Sequence, residues 1–294
     1  MIYTLTLNPS LDYLLDTPDL KMGETNRSTS ESLHFGGKGI NVSYVLKQLG
    51  KDSVCFGFTA GFTGKELEKK LCEEGMKHDF VFVENGNTRI NVKLRSKEIT
   101  EVNATGPVIC KGNVDELFEK LCNLSENDTL ILAGSTPKGL EDVYVRIIER
   151  LSGKGVRFVV DTSGKKLLEC LKFKPFLIKP NKAELEEIEA ANLETDEDIV
   201  ASAKKLKKLG AVNVLVSLGE NGAILLDENW NVHKVNPIKI IPVNTVGAGD
   251  SMVAGFLAGC EKGYEYAIKL ANACGAATAM STVLADRETI DKLM

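Results

Sequence analysis

The chain has 294 residues, of which 43% are hydrophobic, enough to bury a sizeable core in one large α/β domain or two small ones. Its net charge of -5 argues against a nucleic-acid-binding surface, and its seven scattered cysteines, which form no C-x-x-C motif, argue against a disulfide framework or a zinc site. Because the first residues lack the features of a secretory signal and no apolar run reaches the roughly 18 residues of a membrane span, we expect a cytoplasmic protein without membrane or nucleic-acid partners.

Strand and helix patterns alternate along the chain, and no repeat, low-complexity stretch or linker marks a domain boundary. Short apolar runs predict buried strands at residues 2–7, 54–58, 129–132, 157–160, 176–178 and 214–216. Apolar residues at helical spacing predict helices at residues 65–72, 115–122, 143–151 and 200–209. This order predicts a single α/β domain over residues 1–294, with a mostly parallel sheet between two layers of helices and ligands at the carboxyl ends of the strands.

An early glycine cluster interrupts this alternation. The sequence Gly36-Gly37-Lys38-Gly39-Ile40-Asn41 precedes apolar residues at i, i+3, i+4 and i+7, and the helix this predicts would end before Gly50. Closely spaced glycines let a ligand approach the main chain, and Lys38 and Asn41 add a cation and an amide at the same point. The spacing matches neither G-x-G-x-x-G nor the P-loop, so the sequence favours neither a dinucleotide site nor a P-loop site.

The segment of residues 88–94 alternates apolar and polar side chains, which predicts a half-exposed strand. Its apolar face consists of Ile90, Val92 and Leu94, and its polar face of Arg89, Asn91 and Lys93. Two cations and an amide on one face fit an anionic ligand, because a guanidinium group can form paired hydrogen bonds with phosphate oxygens. Alternation alone also predicts an ordinary solvated strand face.

A late glycine motif is the most informative feature of the sequence. In Gly247-Ala248-Gly249-Asp250 the acid opens a predicted helix, where free N–H groups and the helix dipole favour an anion such as a phosphate. A carboxylate beside a bound phosphoryl group is suited to take the proton from an attacking hydroxyl. The simpler interpretation is a glycine turn with Asp250 as helix N-cap.

These two glycine motifs resemble those of the ribokinase-like sugar kinases of the phosphofructokinase B type, which carry GG-x-G-x-N early and G-A-G-D late. The likeness continues in Asn8-Pro9-Ser10-Leu11-Asp12, in Thr88-Arg89-Ile90-Asn91-Val92-Lys93, in Lys179-Pro180-Asn181-Lys182-Ala183-Glu184 and in Ser217-Leu218-Gly219-Glu220-Asn221-Gly222. The resemblance implies a three-layer α/β sandwich with a small β-sheet lid from segments near residues 12–35 and 87–106. It also implies an ATP-dependent kinase that uses Mg²⁺.

The resemblance assigns roles on the nucleotide side of such a site. Asp250 would be the catalytic base, and Gly247, Ala248 and Gly249 would bind the transferring γ-phosphoryl group. Asn181 and Glu184 would orient Mg²⁺ through its waters, although a helix cap and a surface acid are the simpler interpretation. The remaining nucleotide contacts would come from Lys179, Ser217, Gly219, Glu220, Gly222 and Asn272. A plain hairpin would also explain residues 217–222.

On the acceptor side, the resemblance places Asp12 at the sugar hydroxyls and Lys38, Arg89 and Arg27 at a phosphate. Gly37, Gly39, Asn41 and Asn91 would complete this sugar site. An acidic protein needs such local cations to hold a dianion, so we expect a phosphorylated ketohexose. The resemblance favours transfer to the 6-hydroxyl of fructose 1-phosphate, giving fructose 1,6-bisphosphate.

Alternatives to this assignment remain open from the sequence. Tagatose 6-phosphate or fructose 6-phosphate could be the acceptor, and a sugar-phosphate sensor without catalytic activity is a different class of function. The exposed strand of the lid could also pair with the lid of a second copy, as in some relatives, and form a homodimer.

Overall fold

Fourteen strands and ten helices make up the protein, and a computed structural model describes residues 1–294. The strands are β1 (Ile2–Thr6), β2 (Ser10–Asp16), β3 (Ser30–Gly36), β4 (Ser53–Ala60), β5 (Lys77–His78), β6 (Val81–Val83), β7 (Arg89–Arg95), β8 (Ile99–Val102), β9 (Thr129–Ala133), β10 (Arg157–Asp161), β11 (Leu177–Ile178), β12 (Asn213–Ser217), β13 (Ala223–Leu226) and β14 (Val232–Val235). The helices are α1 (Lys38–Gln48), α2 (Gly61–Glu73), α3 (Lys111–Leu121), α4 (Val143–Leu151), α5 (Gly164–Leu171), α6 (Lys182–Glu189), α7 (Asp196–Lys208), α8 (Ala248–Gly259), α9 (Tyr264–Ala279) and α10 (Arg287–Leu293). None of the helices is both long enough and apolar enough to cross a membrane.

The main sheet has the strand order β14-β13-β12-β11-β10-β9-β1-β4-β5, and β6 also pairs with β4. All pairings from β12 to β5 are parallel, and only β13 and β14 run antiparallel at one edge. Because the strands are apolar on both faces, they require a helical layer on each side. In β9, for example, Leu130 and Leu132 pack on one side while Ile131 and Ala133 pack on the other.

Two helical layers cover this sheet. Helices α3 to α7 enclose the larger apolar core, and α4 illustrates why they form, since Val143, Tyr144, Ile147, Ile148 and Leu151 make one buried stripe. Helices α1, α8, α9 and α10 enclose the core on the opposite face. The predicted three-layer α/β sandwich is therefore confirmed.

A separate four-stranded sheet, in the order β3-β2-β7-β8, lies outside the sandwich, and we call it the lid. In this sheet Asp12 is in register with both His34 and Asn91. The polar face of β7 is the enclosed one, because Asn91 and Lys93 are 6% and 9% exposed whereas Ile90 is 38% exposed. An ordinary solvated face would show the opposite pattern, so the polar residues of β7 line an interior space.

Candidate active site

A cleft of about 570 Å³ lies between the lid and the carboxyl edge of the main sheet. Only two of its 23 lining residues are hydrophobic, so the cleft suits a polar, charged ligand rather than an apolar one. The predicted site residues that line it are Asp12, Gly37, Lys38, Asn41, Arg89, Asn91, Lys179, Asn181, Glu184, Ser217, Gly247, Gly249 and Asp250. Residues from both ends of the chain thus meet in one place.

Asp250 lies in the first turn of α8 and is 4% exposed. The N-cap position is occupied by Gly247, whose φ of 82° is left-handed, so the interpretation of Asp250 as the cap is wrong. The side chain of Asn41 donates a hydrogen bond of 2.8 Å to Asp250 Oδ2 and connects the two glycine motifs. A short polar contact between α1 and α8 therefore orients this carboxylate.

The start of α8 presents free hydrogen-bond donors. The N–H of Ala248 donates to the carbonyl of Thr245 at 3.2 Å, whereas the N–H groups of Gly249 and Asp250 donate to no protein group. Gly249 also allows a close approach, since a Cβ atom there would lie 3.0 Å from Lys179 Nζ. Together with the helix dipole, these donors form a position suited to a phosphoryl group.

A second buried carboxylate, Asp161, lies beside Asp250 at the carboxyl end of β10. Its Oδ2 is 3.2 Å from Lys38 Nζ, and its Oδ1 is 3.4 Å from Lys179 Nζ. Sequence reasoning missed Asp161. The available signal was its position directly after the apolar run of residues 157–160, where a strand of an α/β sheet presents functional groups.

The two buried carboxylates differ in proton affinity. Burial raises the pKa of Asp250 to about 6, and the negative charge of Asp161 adds to this effect while Lys38, Asn41 and Lys179 oppose it. Burial would also raise the pKa of Asp161, but the ammonium groups of Lys179 and Lys38 outweigh it and hold that pKa below the ordinary value. Asp250 is therefore the group able to accept a proton near neutral pH, while Asp161 stays ionised.

On the lid side of the cleft, Asp12 is the centre of a polar cluster. Its Oδ1 accepts hydrogen bonds from Ser10 Oγ at 2.8 Å and Asn91 Nδ2 at 3.0 Å, and its Oδ2 lies 3.0 Å from Lys93 Nζ. The side-chain oxygen of Asn91 is buried and has no hydrogen-bond partner. An unpaired buried acceptor costs about 1–3 kcal/mol, which a hydroxyl donor from a ligand would relieve.

Arg89 is held at the base of the lid by main-chain oxygens. Its Nε donates to the carbonyl of Asn8 at 3.1 Å and its Nη1 to the carbonyl of Ala104 at 3.5 Å. Burial lowers the pKa of Arg89, which Asp12 partly offsets, and a guanidinium remains charged at any ordinary pH. The side chain thus presents a fixed positive charge to the cleft.

Asn181 and Glu184 form a capping box at the start of α6. Asn181 Oδ1 accepts from the N–H of Glu184 at 2.8 Å, and Glu184 Oε2 accepts from the N–H of Asn181 at 2.9 Å. No group of three or more His, Cys, Asp or Glu side chains is arranged to hold a metal. Glu184 also lines the cleft, and its second oxygen is a ligand type that would suit a water of a bound Mg²⁺ ion.

Several predicted site residues do not line the cleft. Gly219 and Glu220 lie in a 3₁₀ turn between the antiparallel strands β12 and β13, and Gly222 ends this turn. The side chain of Asn272 is used elsewhere, since its Nδ2 donates to the carbonyl of Asn236 at 3.0 Å. Gly39 instead lets α1 pack on β1, because a Cβ atom there would lie 2.7 Å from Thr6 Oγ1. Arg27 is exposed in the connection between β2 and β3, and Ala248 lies in the first turn of α8 without lining the cleft.

Residues 6–287 match the pfkB family of carbohydrate kinases. The chain belongs to this family. Membership makes the protein a phosphotransferase with a carbohydrate acceptor, and it implies ATP as the phosphoryl donor.

Individual relatives agree with this family. The chain is 43% identical to a 1-phosphofructokinase of Bacillus subtilis, covering 100% of this chain and 97% of that protein. It is 36% identical to a D-tagatose-1-phosphate kinase of Bacillus licheniformis, with coverage of 99% and 97%. The crystal structure of phosphofructokinase-2 from Escherichia coli in complex with fructose-6-phosphate superposes with a TM-score of 0.91 at 29% identity, covering 99% of this chain and 97% of that one.

Proposed function

We propose that this protein transfers the γ-phosphoryl group of MgATP to the 6-hydroxyl of fructose 1-phosphate and so produces fructose 1,6-bisphosphate. One observation carries the proposal: a buried carboxylate with a pKa of about 6 and free helix N–H groups lie in the same polar cleft as the cations Lys38 and Arg89. Its 1-phosphofructokinase relative in Bacillus subtilis supports the choice of acceptor.

The sugar phosphate is assigned to the lid side of the cleft. The protein carries a net charge of -5, so a dianion needs local positive charge, which Arg89 and Lys93 supply there. Asp12 and the unpaired oxygen of Asn91 are acceptors for hydroxyl groups of the sugar. In this assignment the hydroxymethyl group at the other end of the sugar faces Asp250.

Asp250 acts as the general base in this assignment. It takes the proton of the acceptor hydroxyl as the oxygen attacks the γ-phosphorus, while the N–H groups of Gly249 and Asp250 donate to the phosphoryl oxygens. Bound Mg²⁺ would neutralise charge on the ATP phosphates, with Glu184 and Asn181 holding its waters. Lys38 and Lys179 add positive charge beside the transferring group.

A second acceptor is favoured by the relative named as a D-tagatose-1-phosphate kinase. Fructose 1-phosphate and tagatose 1-phosphate carry their phosphate at the same carbon and differ only in configuration at carbon 4. Both would place the same hydroxymethyl group at Asp250. In contrast, fructose 6-phosphate and tagatose 6-phosphate present their phosphate at the opposite end of the sugar.

The proposal predicts the order of the specificity constants. We expect kcat/KM for fructose 1-phosphate to exceed those for tagatose 1-phosphate, tagatose 6-phosphate and fructose 6-phosphate by at least about tenfold, equivalent to about 1.4 kcal/mol of transition-state binding. The measurement is steady-state turnover of each sugar phosphate with MgATP and with ATP plus excess chelator. A higher kcat/KM for fructose 6-phosphate or tagatose 6-phosphate would overturn the acceptor assignment. If none of the four sugar phosphates is turned over, the sugar-phosphate sensor is favoured. Full turnover in the presence of the chelator would exclude a requirement for Mg²⁺.

We also propose a homodimer formed through the outer face of the lid. This face is apolar and incompletely covered, since Ile90 and Val102 are 38% and 58% exposed and Tyr13 and Leu94 are only half-buried. We expect sedimentation velocity to show a dimer that Ile90→Lys converts to a monomer, because a lysine there would be desolvated in the interface. Val232→Lys, an exposed strand position outside the lid, is the control. A monomeric wild type would exclude the dimer.

A further inference from the structure

Asp161 is the common counterion of the two lysines in the cleft. It is 2% exposed, and each of its oxygens faces a different ammonium group, Lys38 Nζ at 3.2 Å and Lys179 Nζ at 3.4 Å. Neither lysine forms an ion pair with any other carboxylate. One buried side chain therefore fixes two cations that come from different elements of the fold.

The two lysines lie beside different residues of the site. Lys38 is the first residue of α1 and stands next to Asn41, which contacts Asp250. Lys179 follows β11, and its Nζ lies beside Gly249 at the start of α8, where a Cβ atom would be only 3.0 Å away. Lys38 is thus near the base and the acceptor, whereas Lys179 is near the proposed phosphoryl position.

We infer that Asp161 is a positioning residue that holds the Lys38 and Lys179 ammonium groups on the two sides of the phosphoryl path. This inference rests on the proposed kinase function. A lysine is a point charge on a flexible four-carbon stem, so its ammonium group stabilises a transition state only if something else fixes its place. Asp161 does this for both lysines although it does not itself line the cleft.

The same geometry connects Asp161 to the base. The charged groups that act on Asp250 are Lys38 of α1, Asp161 of β10 and Lys179 after β11, and Asn41 adds a hydrogen bond. The negative charge of Asp161 raises the pKa of Asp250, whereas both lysines lower it. If Asp161 is removed, Asp250 is the only carboxylate left among these groups and both lysines remain. The pKa of Asp250 should therefore fall.

These relations predict how the pH profile of turnover changes. Because the carboxylate form of Asp250 is the active base, we expect kcat of the wild type to fall as the pH drops through the pKa that this group has with both substrates bound. In Asp161→Asn the plateau of kcat should fall by about 10²-fold, because the two ammonium groups are no longer held in position. The midpoint of the acid limb should also move to lower pH. Asp161→Glu keeps the charge and should retain the wild-type midpoint.

The experiment is the pH dependence of kcat at saturating fructose 1-phosphate and MgATP for wild type, Asp161→Asn, Asp161→Glu and Asp227→Asn. Asp227 is the matched control, because it is also 2% exposed and paired, but its partner His233, at 2.8 Å, does not line the cleft. Ionisation of the substrate phosphates is common to all four proteins, so only differences between their midpoints are compared.

The outcomes separate this inference from the proposed function. If the acid limb of kcat in Asp161→Asn keeps the wild-type midpoint, the positioning role is wrong. It is also wrong if higher Mg²⁺ concentrations restore the lowered plateau of kcat, because Asp161 would then be a metal-binding residue. If Asp161→Asn does not fold, Lys179→Met tests the same cluster, and its midpoint should move to higher pH because a cation has been removed. An inactive wild type would instead contradict the kinase proposal itself.

Discussion

Asp250→Asn is expected to lower kcat by about 10³-fold and to leave KM for both substrates nearly unchanged, within the range found when a general base is removed. An amide has the size of the carboxylate but cannot take the proton of the acceptor hydroxyl. The neighbouring Asn41 can still donate to the amide oxygen, so the start of α8 should keep its structure. The loss therefore falls on the chemical step rather than on binding.

The measurement is steady-state turnover at pH 7.5, about 1.5 units above the pKa of about 6 that burial gives Asp250. Asp227→Asn makes the same chemical change at another buried, paired aspartate and should leave kcat close to wild type. If Asp250→Asn keeps turnover within about tenfold of wild type, a different group accepts the proton and the base assignment is wrong.

Local patterns predicted much of the fold. The helix predicted at residues 143–151 coincides with α4, and the strand predicted at 129–132 lies within β9, because each element is buried by a regular apolar pattern. Short elements were missed, such as α5 and α10, which have only eight and seven residues. Strand β11 was predicted at residues 176–178 and is found at Leu177–Ile178, but the sequence did not give its place in the order of the sheet.

The candidate site was predictable where function depends on a local motif. The two glycine motifs could be placed at helix starts from the sequence, and their contact through Asn41 and Asp250 joins residues 209 positions apart. Asp161 carries no such motif, because a single aspartate after a strand also fits an ordinary turn. Its importance arises only from ion pairs with lysines that the fold brings to it.

The lid shows why alternation alone could not decide which face of β7 is functional. A period of two separates Arg89, Asn91 and Lys93 from the apolar residues between them, but it does not say which set faces the protein. The pairing of β7 with β2 places Asn91 beside Asp12 and so turns the polar set inward. Likewise, the resemblance assigns both Arg27 and Arg89 to a phosphate, yet only Arg89 lines the cleft.

The second large effect is expected at the sugar phosphate. Arg89→Ala should raise KM for fructose 1-phosphate by about 10- to 100-fold with kcat little changed, because a hydrogen bond to a charged group contributes about 1.5–3 kcal/mol. Arg89 is a cleaner probe than Lys38, since Lys38 is also paired with Asp161 beside the base. Its two main-chain contacts fix the guanidinium before the substrate binds, so little of its binding energy is spent on ordering.

A matched variant on the same strand tests whether position matters rather than charge. Arg95 is on the same face of β7 but pairs with Asp16 at 2.7 Å and does not line the cleft, so Arg95→Ala should leave KM unchanged. Arg89→Lys should recover only part of the affinity, because an ammonium group cannot form the paired hydrogen bonds of a guanidinium. If Arg89→Ala raises KM for ATP instead, the phosphate near Arg89 belongs to the nucleotide, and the sugar and nucleotide assignments must be exchanged.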